Sequence, residues 1–344
     1  PLGVAARARR SPSSPRRRSS CPPAPSPSLA TARDTFEGFA QRLSDVLEPA
    51  GEKALAIGYH PSATARSLEL IPKRRYQFMN LYLGERDIYG PCMMRGSAST
   101  QVSIDYTSTA DCLRKLRLAF ALVPMLSLMC DNAPVFEGKP REHQLVRTDI
   151  WQHVDNDRCG LVPDVLDPSF DLRRYAEYIL DTVAILIPCQ QQRWCYSDRT
   201  FGDIYAARTM TRAEVEHAVS MFFTDVRLKT YIEIRPADAM PIPYVIAYAA
   251  LIKGLFYAPT SLDAMDGLFA DVRRDDYLAA QGALMERGYE AEVYGRPVAE
   301  LCDRIVKIAR DGLADEEQGF LEPLADLVAR RVTLADLAER SERA

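Results

Sequence analysis

Hydrophobic and polar positions alternate in two short stretches of the chain and recur at helical intervals through most of the rest. Across residues 101–106, Val102, Ile104 and Tyr106 alternate with Gln101, Ser103 and Asp105. This predicts a strand with one apolar and one polar face. Across residues 225–235, Val226, Leu228, Thr230, Ile232 and Ile234 share one side, and Arg227, Lys229, Tyr231, Glu233 and Arg235 take the other. It reads as a second strand of the same kind. A weaker alternation of Leu55, Ile57 and Tyr59 predicts a strand over residues 53–59. Asp34 and Glu37 have capping-box spacing and precede Phe36, Phe39, Leu43 and Val46, so a helix is expected from Asp34 to Pro49. Further helices are predicted over residues 74–83, 109–130, 172–182, 298–313 and 320–329, and Pro124 is expected to kink the second of these. The stretch RTDIWQHVDNDRCG, residues 147–160, gathers polar and turn-forming residues around Trp151 and reads as an elaborate loop. Strands with one chemically loaded face, separated by long helices, predict an α+β fold, with helices packed on one side of a sheet and a working cleft on the other.

Composition changes this picture mainly at the N-terminal end. Residues 1–32 are Arg, Pro, Ser and Ala in low-complexity order, with six arginines and no acid. Such a segment buries too little apolar area to offset its conformational entropy, so a disordered tail over residues 1–32 and a single domain over 33–344 are expected. The formal net charge of -4 therefore leaves -10 on the remainder, which argues against broad nucleic-acid binding. No apolar stretch follows the first arginines, so no secretory signal is expected. The apolar run at residues 239–257 contains Pro241, Pro243 and Lys253 and fits a buried helix better than a membrane span. Eight scattered cysteines without metal-ligand spacing read as reduced thiols of a cytoplasmic protein.

Among chemical candidates, Glu233 and Arg235 stand two residues apart on one face of a predicted strand. A carboxylate beside a guanidinium suits phosphoryl transfer, the one holding Mg²⁺ and the other neutralising the migrating group. A solvated face with cross-strand ion pairs is the plainer alternative. The loop residues Arg147, Trp151, Asp155 and Arg158 could grip an amino acid, since the planar fork of arginine meets a carboxylate bidentately. An Asp–Arg-pinned surface loop is the alternative there. Cys159 has no paired base and is discounted as a nucleophile. No phosphate-binding glycine loop of Walker or dinucleotide type occurs in the sequence.

Read in order, IPKRRYQFMN at residues 71–80, STQVSIDY at 99–106, EGKP at 137–140, RTDIW and DNDRCG within 147–160, and DVRLKTYIEIRPAD at 225–238 make the chain resemble the plant-type and bacterial glutamate-cysteine ligases. The resemblance covers residues 34–340. It implies an antiparallel sheet of glutamine synthetase type, with ATP, Mg²⁺, glutamate and cysteine as cofactors and partners. It also implies γ-glutamyl phosphate as the intermediate on the way to γ-glutamylcysteine, the first step toward glutathione or a related thiol. Carried over residue by residue, Glu233 is implied to bind metal and Arg235 to face the transferring phosphoryl. Arg158 is implied to hold glutamate, with Trp151 and Arg147 lining that pocket. Gln101 and Ser103 are implied to face the nucleotide. Relatives carry a glutamate-bearing strand upstream of the point matching Asp34, and residues 1–32 have no carboxylate, so weak or no turnover is expected of this chain alone. A protein that binds amino acid or nucleotide without chemistry, and a carboxylate-amine ligase with another acceptor, are the alternatives.

Overall fold

The structure is a computed structural model that describes residues 3–8, 18–21, 28–189 and 193–343. Its main sheet has six strands, Gly3–Ala8 (β1), Arg18–Cys21 (β2), Ala54–Leu55 (β3), Thr100–Ile104 (β4), Val226–Leu228 (β5) and Ile232–Ile234 (β6). The spatial order is β5-β6-β4-β1-β2, with β3 also paired to β1, and all pairs are antiparallel. The alternation around residue 102 is realised as predicted: Thr100, Val102 and Ile104 are buried, while Gln101 and Ser103 are partly exposed on the opposite face.

The second alternating stretch is a hairpin and not one strand. Val226 pairs with Ile234, Arg227 with Glu233 and Leu228 with Ile232 across a turn closed by Lys229 N–H donating to Tyr231 O at 2.8 Å. The three-residue turn keeps the period-two pattern in phase, so both arms present the same two faces and the alternation runs on unbroken through the bend. Only Ala54–Leu55 of the weaker stretch forms strand, with Tyr59 in an isolated bridge to Ser97.

Leu29–Leu47 (α1) starts five residues before Asp34, because the Ser28 hydroxyl already accepts from Thr31 N–H and caps the helix. Its apolar face is narrower than the spacing predicted: Phe36 is buried, but Val46 is 71% exposed. Arg74–Arg86 (α2) and Thr109–Met129 (α3) form where expected, and α3 continues as helix through Pro124. Ile242–Phe256 (α5) and Val298–Asp311 (α6) pack against each other so closely that a side chain at Gly254 would meet the carbonyl of Ala309. Among the described residues no single helix is long and apolar enough to cross a bilayer. Helices α3 and α5 pack against the sheet, and on its polar face Arg227 and Glu233 are themselves buried, while Gln101 and Ser103 of β4 are partly exposed.

Two segments of the expected disordered tail, β1 and β2, are strands in the structure. Gly3 and Val4 pair with Gln101 and Thr100, where the edge of β4 offers backbone donors and acceptors that any sequence can satisfy. Residues 28–32 of the same stretch are also ordered, as the cap and first turn of α1, and the rest of that expectation falls on residues outside the described ones. The stretch 147–160 is likewise not all loop: Val146–Gln152 (α4) is a short helix, buried through Val146, Arg147 and Ile150. The Val146–Ile150 spacing marks its inner face, but the polar residues between them hide it.

Candidate active site

Strand register brings Ser103, Glu233 and Arg227 side by side across β4, β6 and β5. Glu233 is the only carboxylate of these three strands' paired positions, and three cations hold it. Arg227 donates to it from Nη2 at 2.6 Å and Nε at 2.9 Å, Arg235 from Nη1 at 3.0 Å, and Lys229 from Nζ at 3.2 Å. Burial would raise the Glu233 carboxyl, but Arg235, Arg227 and Lys229 outweigh it and hold the group at about 2. Burial and the neighbouring Arg235 push Arg227 down to about 10. One carboxylate among three cations makes this face electropositive, suited to phosphate or carboxylate oxygens.

The same face runs into a cleft of about 290 Å³. Gln101 from β4, Arg147 and Trp151 from α4, and Arg235 from just beyond β6 line one wall; Met79, Met93 and Met94 line the other. Trp151 stacks on Phe223 at 5.8 Å, and the Arg235 guanidinium lies 5.9 Å from the Trp151 ring. Arg147 is buried, and its Nη1 is directed at the carbonyls of Ala237 (3.1 Å) and Pro236 (3.4 Å) and at Asp238 Oδ1 (3.4 Å). Among the described residues its Nε is buried with no protein partner, as is Ser103 Oγ. The cleft thus combines two guanidinium groups, an aromatic plate and a thioether wall. A second, larger cavity of about 570 Å³ lies between α1 and the start of α5. It is lined by apolar side chains such as Phe36, Phe39, Leu43 and Met240 together with Ser44, Glu48, Glu52 and Lys53, and among the described residues it carries no arginine.

Six of the eight residues singled out from sequence therefore share one face or cleft, Gln101, Ser103, Arg147, Trp151, Glu233 and Arg235, while Asp155 is taken up by Arg158. Arg158 does not join them. It is fully buried, paired through Nε with Asp155 at 2.6 Å, bonded to the Val183 carbonyl at 2.8 Å, and set between the rings of Tyr82 and Phe222. Arg158 still bears on the cleft indirectly, since its carbonyl accepts from Phe223 N–H at 2.8 Å and so anchors the ring beneath Trp151. Arg227, Lys229 and Asp238 were missed. Arg227 and Lys229 lie on the predicted polar face, and a hairpin reading of residues 225–235 would have set Arg227 opposite Glu233; nothing in the pattern marks Asp238.

The metal role implied for Glu233 does not fit these residues. Mg²⁺ requires an octahedral oxygen shell, whereas this lone carboxylate is already saturated by cations. Among the described residues no group of three or more Asp, Glu, His or Cys side chains could hold an ion. Cysteine chemistry is equally unsupported, because burial pushes the Cys159 thiol well up. The expectation that all cysteines are reduced is corrected: Cys189 and Cys195 form a disulfide across the hairpin of Val183–Cys189 and Arg193–Thr200. Antiparallel pairing brings their Cα atoms to 5.9 Å, within disulfide reach, which scattered sequence positions did not reveal.

The sequence matches the family described as Glutamate-cysteine ligase family 2 (GCS2) over residues 21–340. It is 30% identical to the chloroplastic glutamate-cysteine ligase of Arabidopsis thaliana over 305 residues, covering 86% of this chain and 58% of that protein. Against the Medicago truncatula chloroplastic enzyme identity is 29%, over 86% of this chain and 60% of the relative. Against ligase B of Oryza sativa subsp. japonica, also chloroplastic, it is 28%, over 86% and 62%. The chain thus spans about three fifths of the length of these relatives.

Proposed function

Because the chain belongs to glutamate-cysteine ligase family 2, we propose that it contributes the amino-acid and phosphoryl-facing half of an ATP-dependent ligase that makes γ-glutamylcysteine, the first step of glutathione biosynthesis. We further propose that its sheet is of the glutamine synthetase-like type. The observation that carries the reading is the convergence of Gln101, Arg147, Trp151 and Arg235 from distant parts of the sequence on one cleft, continuous with the electropositive face around Glu233.

In this reading the γ-carboxylate oxygen of glutamate attacks the γ-phosphorus of ATP, and the bond to ADP breaks. The amine of cysteine then attacks the acyl carbon, loses a proton, and displaces phosphate as the C–O bond breaks. Arg147 and Trp151 hold the glutamate. Arg235, kept in place by Glu233, neutralises charge on the transferring group. Gln101 and Ser103 face the nucleotide. Glu233 serves here as an anchor for Arg235 and Arg227, and no step is assigned to a metal among these residues.

Incubating the chain with ATP, glutamate and cysteine, and following γ-glutamylcysteine and phosphate together, tests the proposal. Stoichiometric appearance of both supports it; phosphate release indifferent to glutamate contradicts it. A second reading, amino-acid binding without turnover, is favoured by the saturation of Glu233 by three cations. Glutamate binding with no product under any divalent salt would select it.

A further inference from the structure

Behind the cleft, Arg147 faces a buried carboxylate that no step above uses. Asp238 Oδ1 lies 3.4 Å from Arg147 Nη1, and Oδ2 accepts from Asn132 N–H at 2.8 Å. The Asp238 backbone is fixed to the cleft floor as well: Thr100 N–H donates to its carbonyl at 3.2 Å, and Ala239 N–H donates to Ala98 O at 3.1 Å. A side chain at residue 58 would collide with the Asp238 carboxylate, so Gly58 is the residue that lets it sit there. Burying a carboxylate this fully costs free energy unless it is paired, and Arg147 is the only cation within ion-pair distance of it among the described residues. Arg147 in turn spends one nitrogen, Nη1, on the protein, while its Nε has no partner among the described residues.

We propose that Asp238 is a positioning residue, which fixes Arg147 by Nη1 so that the rest of its guanidinium is presented to the carboxylate of the amino-acid substrate. The inference rests on the cleft being the glutamate site. It has a consequence in pH. Burial pushes the Asp238 carboxyl up to about 7, against the opposing pull of Arg147, with Asp131 adding to the rise and Arg141 opposing it. Asn132 N–H opposes the rise further, and the buried Cys130 thiol is another titratable group beside it. Below that pH Asp238 takes up a proton and Arg147 loses its counter-charge. Glutamate itself changes no charge between pH 6 and 8.

The test is calorimetric titration of L-glutamate into the full chain, its Asp238→Asn variant, Arg147→Gln, and the double variant. Asp238→Asn keeps the shape and the acceptor for Asn132 but removes the charge. It is expected to weaken glutamate roughly tenfold at pH 8, the scale of one charge-assisted hydrogen bond. On the Arg147→Gln background it is expected to change affinity less than twofold, because the two residues act as one unit. The unaltered chain is expected to lose affinity from pH 8 to pH 6, and Asp238→Asn to show a flat profile. Equal binding by the unaltered chain and Asp238→Asn, or a full further loss on the Arg147→Gln background, overturns the role of Asp238 alone. If the variant does not fold, the pH series on the unaltered chain decides, and a flat profile overturns the proposal. No glutamate binding by the unaltered chain at any pH overturns the reading of the cleft, and the inference with it.

Discussion

Glu233 stabilises the fold only while it is ionised, because among the described residues Arg227, Arg235 and Lys229 have no other ion-pair partner. Its folded-state pKa of about 2 lies below the ordinary 4.5, so between these values the unfolded chain binds more protons than the folded one. Stability from this group is therefore complete above pH 4.5 and disappears as pH falls toward 2, a change on the order of 3 kcal/mol. Urea unfolding at a series of acid pH values should show that slope, and Glu233→Gln should flatten it. At pH 7 the same variant should cost on the order of 3 kcal/mol, since it strands two buried guanidinium groups. Arg158 leads to a prediction opposite to the one its motif implies. With its guanidinium enclosed by Asp155, Val183, Tyr82 and Phe222, Arg158→Ala should lower stability by roughly 3 kcal/mol or more. Glutamate affinity of the folded fraction should change far less; an intact melting temperature with lost glutamate binding would return Arg158 to the site.

At the scale of elements, alternation was a reliable guide to faces and a poor guide to turns. β4 was legible because its apolar side packs on helices and its polar side does not. The β5–β6 hairpin was not, because a three-residue turn leaves the period of two in phase and no glycine or proline marks the bend. Helix α4 was hidden for a different reason: seven residues give only two apolar positions per face, and Arg147 is buried there through hydrogen bonds instead of hydrophobicity. The start of α1 was misplaced because two capping signals, Ser28 and Asp34, compete, and the structure uses the first. Helix contact also sets a limit that sequence pattern does not show. Gly254→Val should destabilise the chain by about 2 kcal/mol or more, because the added atoms meet the Ala309 backbone, which cannot swing aside as a side chain can. A thermal melt unchanged from the parent protein would show that α5 and α6 separate easily.

For the whole molecule, family membership was legible because several motifs stand in order along the sequence, and the family match covers residues 21–340. The cleft was only partly so. Residues near positions 101, 147 and 235 meet only once the β4–β6 register and the docking of α4 are set, and spacing along the chain carries neither. The acidic body, -10 outside residues 1–32, surrounds a site whose local charge is positive, which concentrates anionic ligands at one place on an otherwise repelling surface. Raising ionic strength should accordingly weaken glutamate binding by reducing the attraction of Arg147 and Arg235 for it, and calorimetry from low to high salt would measure this. The most direct test is a crystal structure of the chain with saturating L-glutamate. The expected result is glutamate in the cleft beside Trp151, with a carboxylate within hydrogen-bonding distance of Arg147 or Arg235. Glutamate bound at Arg158, or elsewhere with the cleft unfilled, would contradict the assignment.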